Sequence, residues 1–520
     1  MRTKKNIDVK GKIKVRKKHT GRILQVLPPF STFRDVNLWE TYICGKLAPF
    51  EKKVSEYLKF WYIESRENSH SYPSQGMLTT PFDFLPYTRK AMIEPEEMVR
   101  ILRVRQYFLE LFNHPERIKE LKRVQHAPYI PAPKVQSSVM ETVIQQGLAL
   151  SVSDLGISVV GSDRERVSRE ERFRHGPFVK LGRRARSFLV GSAMPDIYGS
   201  VSAIATMAQC LCLVGVPRNG PFHVIQRQVD LVKEVWKALG ESEVLLGRST
   251  DDKAFLLNQW KHNVMGVLET TPLEATHRAQ ALYDAGMRVF RVYSPEPGKG
   301  ALHTVQALRK IFGNKVEIFV GQIVDVEQAR QLEAAGADGL YVGIGGGGRC
   351  ITGVRSGSVI DWPQLLWNLR GAVTIPTIVE GGASDHIAVT LALGATGIGV
   401  SRIVGGGTIE SPGGMLYCVD KDGKLFKPYG GEASARTKFL DNKMLPFQLP
   451  SFVEGETRTA NLTYLPYGVP TIPFNVFNLT EDTILSFVFR AVRNLEELHA
   501  LNPSPIRQKT EVGEALQKTH

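Results

Sequence analysis

Long apolar runs are missing from this 520-residue chain, and no stretch approaches the ~20 residues that a helix needs to cross a bilayer. No membrane partner is expected. Cysteine is sparse: Cys44, Cys210, Cys212, Cys350 and Cys418 are scattered, odd in number and without metal-ligand spacing. That usage excludes a disulfide framework, gives no zinc module, and fits a reducing compartment. Cys210 and Cys212 fall on one face of a predicted strand, where core packing accounts for both. No Gly-x-Gly-x-x-Gly opens a helix after the first strand with an acidic residue beyond the second, so the dinucleotide fingerprint of a doubly wound sheet is absent. Residues 1–135 carry no chemical motif.

Acidic side chains are nearly absent from the first 22 residues, where Asp8 stands against Arg2, Lys4, Lys5, Lys10, Lys12, Lys14, Arg16, Lys17, Lys18 and Arg22. Three readings fit: a disordered cationic arm for RNA or a ribonucleoprotein, an organellar presequence, or a plain solvated tail. Scarce serine and the lack of a clean amphipathic face count against the presequence, so both a mitochondrial and a cytoplasmic location stay open. The whole chain has net charge +14 and pI near 9.4, which favours anionic partners such as nucleotides or RNA.

With 42% hydrophobic and 23% charged residues the chain can bury a large core, and its length suggests more than one unit. Four segments are expected: a basic arm (1–25), a helical N-terminal region (26–135), a barrel (136–500) and a C-terminal tail (501–520). Apolar spacing predicts helices over 95–112 and 114–124, with Pro95 suited to a first helical turn. The proline-rich segment 127–133 reads as a linker.

Beyond residue 187, short apolar strands alternate with helical patterns. Strands are predicted at 187–194, 209–216, 263–269, 287–294, 316–323, 337–344, 375–382 and 395–402. Helices are predicted at 272–285, 301–312, 326–335, 362–369 and 384–393. Alternation argues for a parallel sheet with helices outside, and eight such units close a TIM (β/α)8 barrel. An α/β doubly wound open sheet is the alternative.

The sixth strand runs into 343–352, Gly-Ile-Gly-Gly-Gly-Gly-Arg-Cys-Ile-Thr. Its glycines let the backbone approach a ligand closely and deliver one thiol, Cys350, as a candidate nucleophile. A tight turn with a buried cysteine is the competing explanation. The seventh strand ends in Glu380, Gly381 and Gly382, and the eighth in Ser401 and Arg402 followed by Gly405, Gly406 and Gly407. Loops at these positions of a barrel often bind phosphate. Glycine amides and Arg402 suit that task, with Glu380 able to accept hydrogen bonds from a ribose; otherwise the glycines only turn corners.

Taken in order over 148–498, these segments resemble the IMP dehydrogenase/GMP reductase family. The 343–352 loop is similar to that family's Gly-Ile-Gly-Pro-Gly-Ser-x-Cys-x-Thr, 378–382 to Ile-Ala-Asp-Gly-Gly, and 394–413 to a pattern ending Glu-Ser-Pro-Gly. Segment 426–431 resembles the base-binding Tyr-Arg-Gly-Met, 453–455 the return from a flap, and Ser192-Ala193-Met194 a Ser-x-Met. The resemblance implies redox chemistry at C2 of a purine nucleoside monophosphate, with Cys350 as nucleophile and Thr352 assisting. It implies substrate contacts from Gly348, Arg349, Glu380, Gly381, Gly382, Ser401, Arg402, Tyr429, Gly431 and Glu432. It also implies NAD(P) contacts from Ser294, Glu296, Gly321 and Gln322, a monovalent cation (K+) on the backbone of Gly345, Gly347 and Cys350, and a homo-tetramer.

Departures from the family pattern cluster at the same place. Gly348 stands where a phosphate-binding serine is usual, Glu380 where an aspartate meets the ribose, and Ser401-Arg402 where Gly-Ser is usual. Tyr293-Ser294-Pro295-Glu296 replaces the segment whose aspartate meets nicotinamide, and Gly321-Gln322-Ile323 replaces Gly-Asn-Val. No nucleotide-sensing insert fits between 216 and 263, and the short flap 434–452 has no Arg-Tyr pair to activate water. That layout is similar to GMP reductase, although the glutamate of that branch falls at Ala435, with Glu432 displaced from it. A catalytically degenerate nucleotide-binding barrel serving as a structural or assembly partner in a ribonucleoprotein is the alternative function.

Overall fold

A computed structural model describes residues 26–59, 61, 89–148, 150–160, 163, 165–191, 200–218, 220–293, 298–343, 355–358, 360–381, 386–430, 434–435, 438, 444–453, 457–461 and 468–518. The N-terminal region contributes strand β1 (Arg89–Met92) and helices α1 (Val36–Glu51), α2 (Pro95–Phe112) and α3 (Pro115–His126). Helix α2 begins with proline at its first position and Glu96 and Glu97 in its first turn, both favourable there. Its Met98, Ile101, Leu102, Phe108, Leu109 and Phe112 form a buried stripe at helical spacing.

Eight parallel strands then follow: β2 (Leu189–Gly191), β3 (Leu213–Val216), β4 (Val264–Leu268), β5 (Val289–Tyr293), β6 (Glu317–Ile323), β7 (Gly339–Val342), β8 (Thr377–Val379) and β9 (Gly397–Gly399). They pair in chain order and close into a barrel where β9 meets β2, Ile398 opposite Leu189. Between them run α4 (Val201–Gln209), α5 (Ile225–Gly240), α6 (Thr250–His262), α7 (Pro272–Asp284), α8 (Lys299–Phe312), α9 (Val326–Ala334), α10 (Trp362–Leu369) and α11 (Ile387–Leu393). The short α12 (Ser401–Gly405) follows β9, and α13 (Ile472–Val488) packs against α2. This is the TIM barrel expected from the alternation, and the open sheet is excluded by closure.

Two strands differ from the expectation: the eighth ends at Gly399, with Ser401 and Arg402 opening α12 instead, and the second starts late. The apolar run 209–216 is continuous, and periodicity cannot separate a helix end from a strand there. Gln209 ends α4, Leu211 takes a positive φ of 64°, and the strand starts only at Leu213. Cys210 and Cys212 therefore lie in the turn rather than on a strand face. Both are buried, and burial pushes the Cys212 thiol up to about 12, so they are inert packing groups.

The barrel interior is polar at both ends and apolar between them. At the N-terminal end Arg186 donates to both oxygens of Glu317, at 2.8 and 2.9 Å. Burial opposes the charge on Glu317, but Arg186 outweighs it and holds the carboxyl below its ordinary range. Above this pair the aromatic rings of Phe319 and Tyr341 meet edge to face, and the Tyr341 hydroxyl points at the Met265 sulfur. The barrel is thus a packed core and not a pore.

After β9 the chain forms β10 (Leu416–Val419), β11 (Leu425–Gly430) and β12 (Thr457–Asn461), and β1 adds to them antiparallel, Arg89 opposite Val419. The N-terminal region thereby supplies the edge strand of the flap sheet. It is also anchored by charge: the buried Glu110 of α2 takes Lys46 from α1 and Arg248, at 2.9 Å, from the loop before α6. The 127–133 segment lies on the N-terminal end of the barrel, where the Tyr129 hydroxyl meets Thr396 at 2.9 Å.

Candidate active site at the C-terminal rim of the barrel

Strand β5 reads Val-Phe-Arg-Val-Tyr, and its central Arg291 points into the barrel because its neighbours Phe290 and Val292 face the helices. A guanidinium there demands a counter-charge. It finds Glu380, just past β8, donating to the two carboxylate oxygens at 2.9 and 2.6 Å. The guanidinium also lies 3.9 Å from the centre of the Tyr341 ring and 4.7 Å from that of Tyr293. Burial disfavours the charge on Arg291, but Glu380 and Tyr341 outweigh it and raise its pKa further. Burial likewise raises the Tyr341 hydroxyl, keeping it neutral.

Two glycines at this rim are dictated by close neighbours. A side chain on Gly321, whose φ is 157°, would come within 2.5 Å of the Tyr341 carbonyl. One on Gly343, whose φ is 123°, would strike the carbonyl of Glu380. Gly343 is the first residue of the cysteine loop, so that loop starts hard against the end of β8. Its glycine serves strand packing before it serves any ligand.

Of the residues singled out in the sequence, Glu380, Gly381, Ser401, Gly321 and Gln322 stand on the C-terminal rim, and the backbone of Arg402 lies in α12 beside them. Tyr429 is buried in β11 of the flap sheet, opposite Arg458. Cys350, Thr352, Gly345, Gly347, Gly348, Arg349, Gly382, Ser294, Glu296, Gly431 and Glu432 lie outside the described residues.

Several rim residues were not singled out from sequence. Arg218, in the loop after β3, donates to the Tyr293 carbonyl at 3.3 Å while its buried Nε has no hydrogen-bond partner among the described residues. The same holds for the buried Arg291 Nε and for Glu269 Oε2, the latter just past β4. Two orphan donors and one orphan acceptor on one rim invite a polar ligand. The signal for Arg291 was readable, an arginine inside an apolar strand; those for Arg218 and Glu269 emerge only from packing.

The loop after α12, from Gly405 to Gly414, is entirely buried. Lys427 of β11 donates its ammonium to the carbonyls of Thr408, Ser411 and Gly414, at 2.9, 3.1 and 2.8 Å. Glu410 accepts from Arg105 Nε at 3.1 Å, from the Thr471 hydroxyl at 2.5 Å and from the Ile472 amide at 3.1 Å. Among the described residues no group of three His, Cys, Asp or Glu side chains could hold a metal, and no helix is long and apolar enough to cross a membrane.

A closed barrel of eight parallel strands with helices around it is a TIM-barrel protein, a fold whose ligand sites lie at the C-terminal rim. The chain belongs to the IMP dehydrogenase / GMP reductase family, because a model of that domain matches residues 129–457, over half of its length. It is 29% identical over 236 residues to a GMP reductase of Bacillus licheniformis, covering 43% of this chain and 64% of the relative. It is 37% identical over 168 residues to an inosine-5'-monophosphate dehydrogenase of Nitrosopumilus maritimus, covering 30% of this chain and 33% of the relative. A GMP reductase of Leishmania donovani matches at 31% over 239 residues, with 43% and 47% covered. The chain thus spans from a third to just under two thirds of the length of these relatives.

Proposed function

We propose that the chain is a purine nucleotide oxidoreductase of the IMP dehydrogenase/GMP reductase type, with Cys350 as the nucleophile at purine C2 and Thr352 assisting. The observation that carries this reading is the family match across the entire barrel. The cysteine loop begins on the rim, at Gly343 against Glu380. In the reductive direction the thiolate bonds to C2 of GMP, and the 2-amino group takes up one proton from solvent and leaves as ammonia. Hydride then enters at C2 and the thiolate departs, giving IMP. That hydride would come from bound NADPH, leaving NADP+.

The rim fits such a cofactor. A carboxamide offers one acceptor and one donor group, matching the orphaned Nε atoms of Arg218 or Arg291 and the orphaned Oε2 of Glu269. Gly321 and Gln322, with Ser294 and Glu296, are the residues we assign to hold the rest. Phosphate is assigned to Ser401, Arg402, Gly381 and Gly382. The short flap without an Arg-Tyr pair favours the reductase direction, since hydrolysis of a dehydrogenase intermediate needs an activated water.

Purified protein should oxidise NADPH with GMP, or failing that reduce NAD with IMP, and should lose this on Cys350→Ala. Turnover with neither pair contradicts the reading. A second reading has two observations in its favour: Glu380 is already taken by Arg291, and Tyr293 stands where a cofactor aspartate is usual. On that reading the barrel keeps a nucleotide but not its chemistry, and the basic arm joins it to RNA. Recovery of RNA with the protein in a salt-sensitive way, without turnover, would support it.

A further inference from the structure

We propose that Arg105, in the N-terminal region that precedes the matched family domain, is a positioning residue for the nucleotide site. It acts by bracing the glycine-rich loop that follows Ser401 and Arg402. The inference rests on the proposed function only for which ligand feels the effect.

The loop from Gly405 to Gly414 contains five glycines, and a backbone that free costs much entropy to order. Three elements supply the order. Lys427 gathers three of its carbonyls from the flap side. The start of α13 offers Thr471 and Ile472 to the Glu410 carboxylate. From the third side, Arg105 of α2 reaches Glu410 through Nε and anchors its other end on the Thr206 hydroxyl of α4 at 2.8 Å. The Glu410 side chain is fully buried and the Arg105 side chain is only 13% exposed, so this contact is poorly screened and its loss leaves a buried charge without its cation.

The same place is sealed apolar to apolar. Leu58, Trp61, Ile93, Met98, Ile101 and Leu102 of the N-terminal region share one cluster with Ile409, Met415, Tyr417 and Val469. Strand β1 extends the flap sheet next to it. The N-terminal region is therefore built onto the segment between the phosphate-side rim and the flap, and Arg105 is its one described cation bonded to the loop's carboxylate. Fixing Glu410 fixes the loop, and through it α12, whose first two residues are Ser401 and Arg402.

The test uses the full-length protein and its Arg105→Gln, Arg105→Lys and Arg105→Gln/Glu410→Gln variants, read by amide hydrogen exchange over 405–414 and by steady-state kinetics. Arg105→Gln should speed exchange of that loop by about tenfold, since opening no longer breaks a charged anchor. It should raise KM for the purine monophosphate by about tenfold while kcat stays within about twofold, the mark of lost positioning of a bound group rather than of lost chemistry. Arg105→Lys should fall between it and the wild type. The double variant, which buries no unpaired charge, should fold even if Arg105→Gln does not, and should keep the raised KM. Wild-type exchange and wild-type KM in a folded Arg105→Gln or double variant would overturn the proposal. If the wild type itself binds no purine nucleotide, the proposed function falls, and the exchange arm alone decides whether Arg105 braces the loop.

Discussion

Arg291 of strand β5 and Glu380, just past the non-neighbouring strand β8, meet over the barrel's mouth in a two-pronged pair at 2.9 and 2.6 Å. The pair gives the barrel a charged cap over its apolar centre. Breaking a buried pair on one side is costly because the other charge is stranded, whereas removing both charges is much milder. Arg291→Met should therefore lower unfolding free energy by about 3–5 kcal/mol, and Arg291→Met/Glu380→Gln by clearly less. Urea denaturation of the three proteins measures it, and equal losses in single and double variants would contradict the account.

Lys427 is buried with its ammonium on three carbonyls and 4.5 Å from the centre of the Tyr417 ring. Lys427→Met keeps the stem and removes the donors, taking one hydrogen bond from each of three buried carbonyls, of which those of Thr408 and Ser411 keep another donor, at a cost of about 1–3 kcal/mol in total. Limited proteolysis should then cut within 405–414, a buried segment that should resist cleavage in the wild type. An unchanged cleavage pattern would show that the loop is held without this ammonium.

Acid should destabilise the protein earlier than its carboxylates require. His499 is buried, and burial, helped by nearby Arg370, pushes its imidazole down to about 3 from 6.5. In the unfolded chain it takes its proton near 6.5, so between these values the unfolded state holds more protons and stability falls as pH falls. The slope from this one group reaches about 1.4 kcal/mol per pH unit. His499→Gln should flatten the dependence of unfolding free energy between pH 6 and 4, and an unaltered slope would refute the assignment.

The first 22 residues carry ten cations and one acid, nine net positive charges of the chain's +14. Changing those ten Lys and Arg to Gln in the full chain should move its elution from heparin to markedly lower salt, as expected when counterion release drives binding. No change would locate the anion-binding surface elsewhere.

Much of the barrel was legible because its buried strands and amphipathic helices repeat without interruption: α2 and α10 have the predicted bounds, and all eight strands lie within or overlap theirs. The glycines, Glu380 and Ser401 could be assigned to the rim because a barrel's topology says which strand ends share a face. What stayed hidden needs two distant segments at once. Arg291 and Glu380 are 89 residues apart, and Arg105 and Glu410 are 305 apart, so neither partner announces the other. Strand β1, Arg-Lys-Ala-Met, has no period of its own and is a strand only because the flap sheet offers it an edge. The turn at Leu211 was masked by an apolar run that reads equally as helix or strand.

The central claim, that this barrel does chemistry on a purine monophosphate through Cys350, is tested most directly by mass spectrometry of protein quenched during incubation with GMP and NADPH, and with IMP and NAD. The account predicts a purine nucleotide adduct on the peptide that contains Cys350, absent from Cys350→Ala. Unmodified Cys350 under both conditions, with no turnover of either pair, would contradict it.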